Sequence, residues 1–198
     1  MERLILTRHG ESTYSARGLN NGDPSVGVVL TPAGEEQARA LGRELTGEPI
    51  ELVVTSNFHR TRETAELAMA GRDVPFEVDP RLADPDVGSY EGKTLDEYRE
   101  WAWNAPSDER CPGGGESRCE IAARVADAYR RIAGLEPRTI LVVAHGITIA
   151  YPLDAADGLP PAPRLRAPVE YATPFFLDAA GVRRAVETID AWLADPTW

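Results

Sequence analysis

The chain has 198 residues, 42% of them hydrophobic, and a formal net charge of −11 from 32 acidic and 21 basic residues. This charge argues against nucleic acid and anionic membranes as partners, and no apolar run is long enough to cross a bilayer. We therefore expect one globular domain over residues 1–198. Because no signal peptide is visible, we expect it in the cytoplasm.

The first predicted element is a short strand that ends in a histidine. The apolar residues 4–6 lead into Thr7-Arg8-His9-Gly10, and a later apolar run, 140–144, leads into His145. In a parallel sheet the carboxyl ends of the strands form the ligand crevice. His9 and His145 are therefore predicted to meet there, although they are far apart in sequence.

Helices alternate with strands after this first strand, which is typical of a parallel α/β sheet. Thr31 and Pro32 suit the N-cap and first position of a helix. An apolar strand is predicted at 52–54 and a further helix from about Ser117 to Gly134. In chain order the prediction is strand, helix, strand, helix, a mixed middle, helix, strand and an irregular tail.

The mixed middle has the composition of a loop. Residues 97–115 include Trp101, Trp103 and three consecutive glycines, which favours a loop or lid over the site rather than a core element. We expect a lid and substrate-specificity segment at about 93–115.

The tail begins with a proline-rich stretch. Residues 152–168 hold five prolines, and the segment 162–168 is not compatible with an uninterrupted helix. An ordered surface connection is expected, with a substrate-shaping or dimer-edge role as the alternative. Residues 171–177 and 182–188 are predicted to be closing strands.

Arginines accompany the first histidine. Arg8 adjoins His9, and Arg60 follows the strand at 52–54. A histidine in this position could be a base, a metal ligand, a covalent nucleophile or a structural residue. Guanidinium groups match phosphate oxygens with forked hydrogen bonds and would repel a divalent metal. Phosphate is therefore the favoured ligand.

Several sequence blocks occur together in a recognisable order. They are Leu6 through Ser12, Ser56 through Ala65, Leu82 through Gly92, Gly114 through Ser117 followed by Arg124-Val125, and Val143 through Gly146. In these blocks the chain resembles the histidine phosphatase superfamily, in its phosphoglycerate-mutase-like branch. The resemblance covers about residues 3–150. It implies a three-layer αβα sandwich with a mostly parallel central sheet.

The resemblance also implies a covalent route for phosphoryl transfer. His9 would attack phosphorus, while Arg8, Arg60 and His145 would hold the phosphoryl oxygens. Water would then hydrolyse the phosphohistidine, and neither a metal nor another cofactor would be needed. Physically this is nucleophilic catalysis combined with electrostatic stabilisation of the transferred group.

The proton for the leaving alkoxide is expected from the acid block. Asp84 stands where the family usually carries Glu, and a nearby phosphate dianion would raise the pKa of its carboxyl. Asp is one methylene shorter than Glu, so Asp86 and Glu91 stay open as alternatives. Ser15 stands where many members place a phosphate-contacting Asn, and we expect it to be a weak phosphate ligand.

Other polar residues near these blocks are predicted to be structural. His59 is expected to be a solvated surface residue, and Glu11 is expected to brace the loop after His9. Arg62 has the spacing for an ion pair with Glu66. Glu120 is likewise predicted to pair with Arg124, and Cys111 and Cys119 are expected to be free thiols.

Three classes of function are compatible with such a site. The first is a phosphomonoester hydrolase acting on a small phosphorylated metabolite, the second is a phosphoglycerate-type phosphomutase, and the third is a noncatalytic phosphate-binding module. A nucleophilic His9 would have no purpose in a pure binder. The resemblance implies that mutases of this family carry additional sequence in the middle and at the C-terminus, which encloses the site. The short stretch between the acid block and the second histidine, and the short tail, therefore favour the hydrolase. A homodimer is an open alternative to a monomer.

Overall fold

A five-stranded sheet organises the computed structural model, which describes residues 1–198. The strands are β1 (Arg3–Arg8), β2 (Leu52–Thr55), β3 (Phe76–Val78), β4 (Thr139–Ala144) and β5 (Pro174–Asp178). Their order across the sheet is β3-β2-β4-β1-β5. The first four strands are parallel and β5 runs antiparallel to β1. The predicted mostly parallel sheet is confirmed.

The structure has six helices. They are α1 (Pro32–Glu44), α2 (His59–Ala68), α3 (Leu95–Ala102), α4 (Arg118–Ala133), α5 (Gly146–Ala156) and α6 (Ala179–Ala194). All except α3 pack on the two faces of this sheet. Successive strand residues point to opposite faces: Ile5 packs with α1 and α2, whereas Leu4 and Leu6 pack with α4, α5 and α6. The result is the expected three-layer αβα sandwich. No helix is both long and apolar enough to span a membrane.

The pairing of β1 with β4 places the two histidines side by side. In the parallel register Arg8 lies opposite Ala144, so both strands end at the same level. The amide of His9 also donates to the carbonyl oxygen of Ala144 at 3.0 Å. His9 and His145 therefore leave the sheet at adjacent points of its carboxyl edge, as predicted.

The prediction of a loop or lid over 97–115 is only partly right. Helix α3 begins with a capping box between Thr94 and Glu97. Its residues Tyr98 and Ala102 are buried in a small cluster with Cys111. Trp103 and the helical residues Leu95, Tyr98 and Arg99 line the cavity described below. The segment therefore borders the site as predicted, but its first part is a helix with buried residues rather than a loop.

Helix α5 was not expected, because Gly146 and Pro152 both discourage helix in a sequence pattern. A proline inside a helix leaves the carbonyl four residues earlier without its amide donor. Here that carbonyl belongs to Thr148, and the Tyr129 hydroxyl donates to it at 2.9 Å. A side chain from α4 thus replaces the missing backbone bond, and the helix continues through Pro152.

The predicted strand at 182–188 is wrong, since these residues belong to α6. Asp178 caps the helix by accepting a hydrogen bond from the amide of Gly181 at 2.6 Å. Val182, Ala185 and Ile189 are fully buried and follow the spacing of one helix face. The helical period, rather than strand alternation, matches the burial of the tail.

Close packing between α1 and α2 yields a stability prediction. A Cβ on Gly42 would lie 2.4 Å from the carbonyl oxygen of Ala68, a backbone atom that cannot move aside easily. We expect Gly42→Ala to lower the free energy of unfolding by about 1–3 kcal/mol, because overpacking outweighs the gain in helix propensity. Gly47→Ala is the control, since nothing lies within 4 Å of its added Cβ. Equal urea midpoints for the two variants would contradict the packing argument.

Candidate active site

His9 is buried at the end of β1 and is held in one tautomer. Its Nδ1 lies 2.7 Å from the carbonyl oxygen of Gly10, which can only accept, so Nδ1 carries the proton. The lone pair of Nε2 faces Arg60, whose Nε donates to it at 3.1 Å. Burial, and then the charges of Arg60 and Arg8, hold the pKa of His9 well below its usual value. His9 is therefore a neutral imidazole with a nucleophilic nitrogen.

Arg60 joins most of the site through its guanidinium group. Nη1 donates to Oδ1 of Asn21 at 2.5 Å, and Nη2 donates to Asp84 at 2.8 Å and to Nδ1 of His145 at 3.1 Å. Together with Nε on His9, these bonds bring four segments of the chain to one buried cation. The helix α2 supplies this arginine from its first turn.

His145 sits at the N-terminus of α5 and is fully buried. Because its Nδ1 accepts from Arg60, its Nε2 carries the proton and donates to the hydroxyl of Ser56 at 2.8 Å. The Phe58 ring packs edge-on against the imidazole, with ring centroids 4.8 Å apart. Burial and the Arg60 charge hold its pKa well below its usual value.

Arg8 enters the cavity from the end of β1. Its guanidinium carbon lies 4.0 Å from the centroid of the Tyr171 ring, and its Nη1 donates to the carbonyl oxygen of Val169 at 3.0 Å. The Nε of Arg8 is buried without any hydrogen-bond partner. One charge-assisted donor is thus left unsatisfied beside His9.

The three candidate acids occupy different positions. Asp84 lies against Arg60 and also within 3.4 Å of Nδ1 of His145. Burial raises the pKa of its carboxyl, while the charges of Arg60 and Arg8 oppose that rise. Glu91 instead accepts from the amide of Gly22 at 2.7 Å, and Asp86 accepts from the amide of Gly88 at 2.9 Å. Of the three, the structure brings only Asp84 to the histidines.

The position of Asp84 depends on Arg124, whose role sequence reasoning misjudged. The guanidinium of Arg124 donates to the carbonyl oxygens of Arg81 and Ala83 at 2.8 Å and pairs with Glu116 at 2.6 Å. It thereby fixes the backbone that carries the acid. The predicted pair with Glu120 is wrong, because that carboxylate caps α4 by accepting from the amide of Ser117. The sequence did contain a sign of the observed pair, since Glu116 and Arg124 lie in the same block of the family pattern.

Ser15 and Asn21 both line the cavity. The hydroxyl of Ser15 donates to the carbonyl oxygen of Ser12 at 3.0 Å and accepts from its amide, so in this state it braces the loop. A phosphate contact by Ser15 stays a prediction. Asn21, which holds Arg60, was missed because no local pattern marks it.

The residues expected to be structural lie where they were predicted. The side chain of His59 is 59% exposed, and Arg62 pairs with Glu66 at 2.8 Å. The carboxylate of Glu11 accepts from the Thr31 hydroxyl at 2.8 Å and so braces the loop after His9. Cys111 and Cys119 are free thiols.

A cavity of about 520 Å³ opens over these residues. Its walls carry five arginines and a single carboxylate, in a chain whose net charge is −11. The charged residues of the wall are Arg8, Arg60, Asp84, Arg99, Arg118 and Arg164. Part of the proline-rich connection, residues 163–168, closes one side, which agrees with the substrate-shaping alternative. The local field therefore favours an anion despite the acidic surface.

His9, Asp84 and His145 also form a set of donor atoms that lie within 4.8 Å of one another. Such a set has the composition of a metal site. All three side chains, however, are hydrogen-bonded to the guanidinium of Arg60. A divalent cation among them would face this fixed positive charge at close range.

The two neutral histidines predict a pH dependence of stability. In the unfolded chain each imidazole binds a proton below its pKa of about 6.5, whereas the folded His9 and His145 do not. The free energy of unfolding should therefore fall from pH 6.5 to 5.5, by up to about 1.4 kcal/mol per pH unit for each histidine. Asp84 has the opposite sign, because its raised pKa makes the folded state bind more protons above pH 3.8.

Urea unfolding at several pH values would measure this slope. His145→Gln should reduce it by roughly half, because one of the two titrating groups is removed. A slope unchanged by that substitution would show that His145 is not held neutral.

Comparisons with known proteins agree with this geometry. The chain matches the model of the histidine phosphatase superfamily (branch 1) over residues 4–191. It is 32% identical to a probable phosphoglycerate mutase GpmB of Photorhabdus laumondii, over 81% of this chain and 77% of that protein. The structure of a putative α-ribazole-5'-P phosphatase from Escherichia coli superimposes with a TM-score of 0.78 at 28% identity, covering 89% of this chain and 90% of that one.

A mycobacterial glucosyl-3-phosphoglycerate phosphatase, solved as a complex with VO3, superimposes with a TM-score of 0.73 at 28% identity. The match covers 89% of this chain and 92% of that one. With the paired histidines and arginines at the carboxyl edge of the sheet, these matches show that the chain belongs to the histidine phosphatase superfamily.

Proposed function

We propose that this protein is a phosphomonoester hydrolase that acts on a small phosphorylated metabolite through a phosphohistidine on His9. The observation that carries the proposal is the neutral, tautomerically fixed imidazole of His9 between Arg8 and Arg60. Two structural neighbours whose names describe phosphatases support hydrolysis.

In the first step Nε2 of His9 attacks phosphorus and the bond from phosphorus to the ester oxygen breaks. Arg60 now donates its Nε–H to this nitrogen, so the substrate must draw that donor onto a phosphoryl oxygen to free the lone pair. The unsatisfied Nε of Arg8 is a second donor for the phosphoryl group. These charges counter the negative charge of the equatorial oxygens.

Asp84 is proposed to protonate the leaving alkoxide. A phosphate dianion in the cavity would raise the pKa of its carboxyl further, toward the protonated form that an acid requires. After the alcohol leaves, the Asp84 carboxylate would accept a proton from the water that attacks phosphorus, and the bond from phosphorus to Nε2 of His9 would break. No step requires a metal, and the Arg60 guanidinium among His9, Asp84 and His145 disfavours one there.

The second candidate is a phosphoglycerate-type mutase, which the name of the GpmB relative favours. A mutase must keep water away from the phosphohistidine while its substrate reorients. The side chain of Asp84 is 29% exposed, so water reaches the group that would activate it. Hydrolysis is therefore favoured over phosphoryl return.

The proposal predicts phosphate release with 3-phosphoglycerate and other phosphomonoesters in buffer that contains a chelator. With a trace of bisphosphate present, free phosphate should accumulate faster than the phosphoglycerate isomers interconvert. A rapid acid-free quench and mass spectrometry should find one phosphoryl group on His9, because an Nε2 adduct is stable at alkaline pH.

His9→Ala should abolish both the phosphoryl adduct and the release of phosphate. His59→Ala, which changes an exposed histidine, should leave both unchanged. Isomer interconversion more than about tenfold faster than phosphate release would favour the mutase. Activity that disappears in chelator and returns with zinc would refute the metal-free route.

The effect of substituting Asp84 should depend on the leaving group of the ester. Asp84→Asn should slow esters of poorly acidic alcohols by roughly 10²- to 10⁴-fold, because those alkoxides need a proton. An aryl phosphate with an acidic phenol should be affected far less. Asp86→Asn is the matched control, since that carboxylate contacts the amide of Gly88 instead. Equal losses on both ester classes would assign Asp84 a binding or folding role.

A further inference from the structure

Arg118 is a buried cation that the catalytic steps above do not use. It is the first residue of α4 and only 9% exposed. The chain buries one other arginine, Arg60, which is paired with Asp84 at 2.8 Å. Arg118 has no carboxylate partner, and its Nε is buried without a hydrogen bond. Its side chain nevertheless lines the cavity that holds His9.

The hydroxyl of Tyr98, a residue near Arg118, is unsatisfied as well. Tyr98 is buried, and its hydroxyl has no hydrogen-bond partner. The guanidinium carbon of Arg118 lies 5.8 Å from the centroid of the Tyr98 ring. Burial raises the pKa of Tyr98 to about 12, so its hydroxyl keeps its proton and remains a donor.

A buried charge without a carboxylate partner and a buried unsatisfied hydroxyl are costly for a folded protein. Replacing such a charge by an apolar residue of similar volume is often neutral or stabilising. A bound anion would supply the missing acceptor for Arg118 and for the hydroxyl of Tyr98, a residue that also lines the cavity. Tyr98 and Arg118 line the same cavity as His9 and Asp84, so one bound molecule can contact both groups.

We propose that Arg118 and Tyr98 form a second anion subsite that binds a carboxylate at the far end of the substrate. This inference rests on the proposed function and adds the substrate class, a phosphomonoester that also carries a carboxylate. A carboxylate matches the planar fork of one guanidinium. A carboxylate also matches the charge of this subsite, because Arg118 is a single cation and a carboxylate is a monoanion. The phosphoryl dianion instead binds to two cations, Arg8 and Arg60.

The test uses ligands that cannot be hydrolysed. Calorimetry would compare ω-phosphonocarboxylates of two to six carbons with alkylphosphonates of equal length, which lack only the carboxylate. At one chain length the wild-type protein should bind the phosphonocarboxylate about tenfold to a hundredfold more tightly, as a charged hydrogen bond in a buried site provides. That length measures the distance between the two anion sites.

Arg118→Met should remove this preference and leave the Kd of the alkylphosphonate unchanged. Its melting temperature should be equal to or higher than that of the wild type, because an unpaired buried charge has been removed. Arg39→Met is the control of equal charge change, since Arg39 pairs with Glu35 on the exposed face of α1, and it should keep the preference.

Two conservative variants keep the inference testable if Arg118→Met does not fold. Arg118→Lys retains the charge without the fork, and Tyr98→Phe removes only the hydroxyl. Both should weaken the phosphonocarboxylate selectively. No preference at any chain length, or an equal loss for both ligand series, would overturn the inference. A preference that depends on Arg118 in a protein that releases no phosphate from any ester would instead refute the proposed hydrolase and retain the subsite.

Discussion

The buried guanidinium of Arg60 is the interaction on which the rest of the site depends. Its donors reach four side chains from separate parts of the chain: His9, Asn21, Asp84 and His145. A buried charge of this kind is tolerated only when its hydrogen bonds are made. Its field, added to burial, keeps both imidazoles neutral. His9 is therefore already neutral before any substrate arrives.

A layer of supporting contacts holds these groups in place without touching the cavity. The Ser56 hydroxyl orients His145, and Arg124 with Glu116 fixes the backbone before Asp84. Such support is required because a displacement of about 1 Å costs much of the catalytic power of an oriented site. Arg118 stands outside this scheme as a buried arginine without a partner, which is why it points to a ligand.

Much of the fold follows from apolar runs and from helix caps. The strands before His9 and His145 and the helices that start at Thr31 and Ser117 have strong local signals. The errors lie where a distant contact overrides the local pattern. Helix α5 passes through Pro152 because a tyrosine of α4 satisfies the freed carbonyl, and α6 buries one helical face of a segment that alternates weakly.

The sequence by itself determined which histidines and arginines meet, because two of each follow the ends of predicted parallel strands and such ends converge. Only the tertiary structure decided which carboxyl contacts Arg60, which asparagine supports it, and that Arg118 is buried without a counter-ion. The reason is that hydrogen bonds and ion pairs depend on ångström distances between segments remote in sequence. Residue patterns specify the position of a group along the chain, whereas its partners are set by how the layers pack.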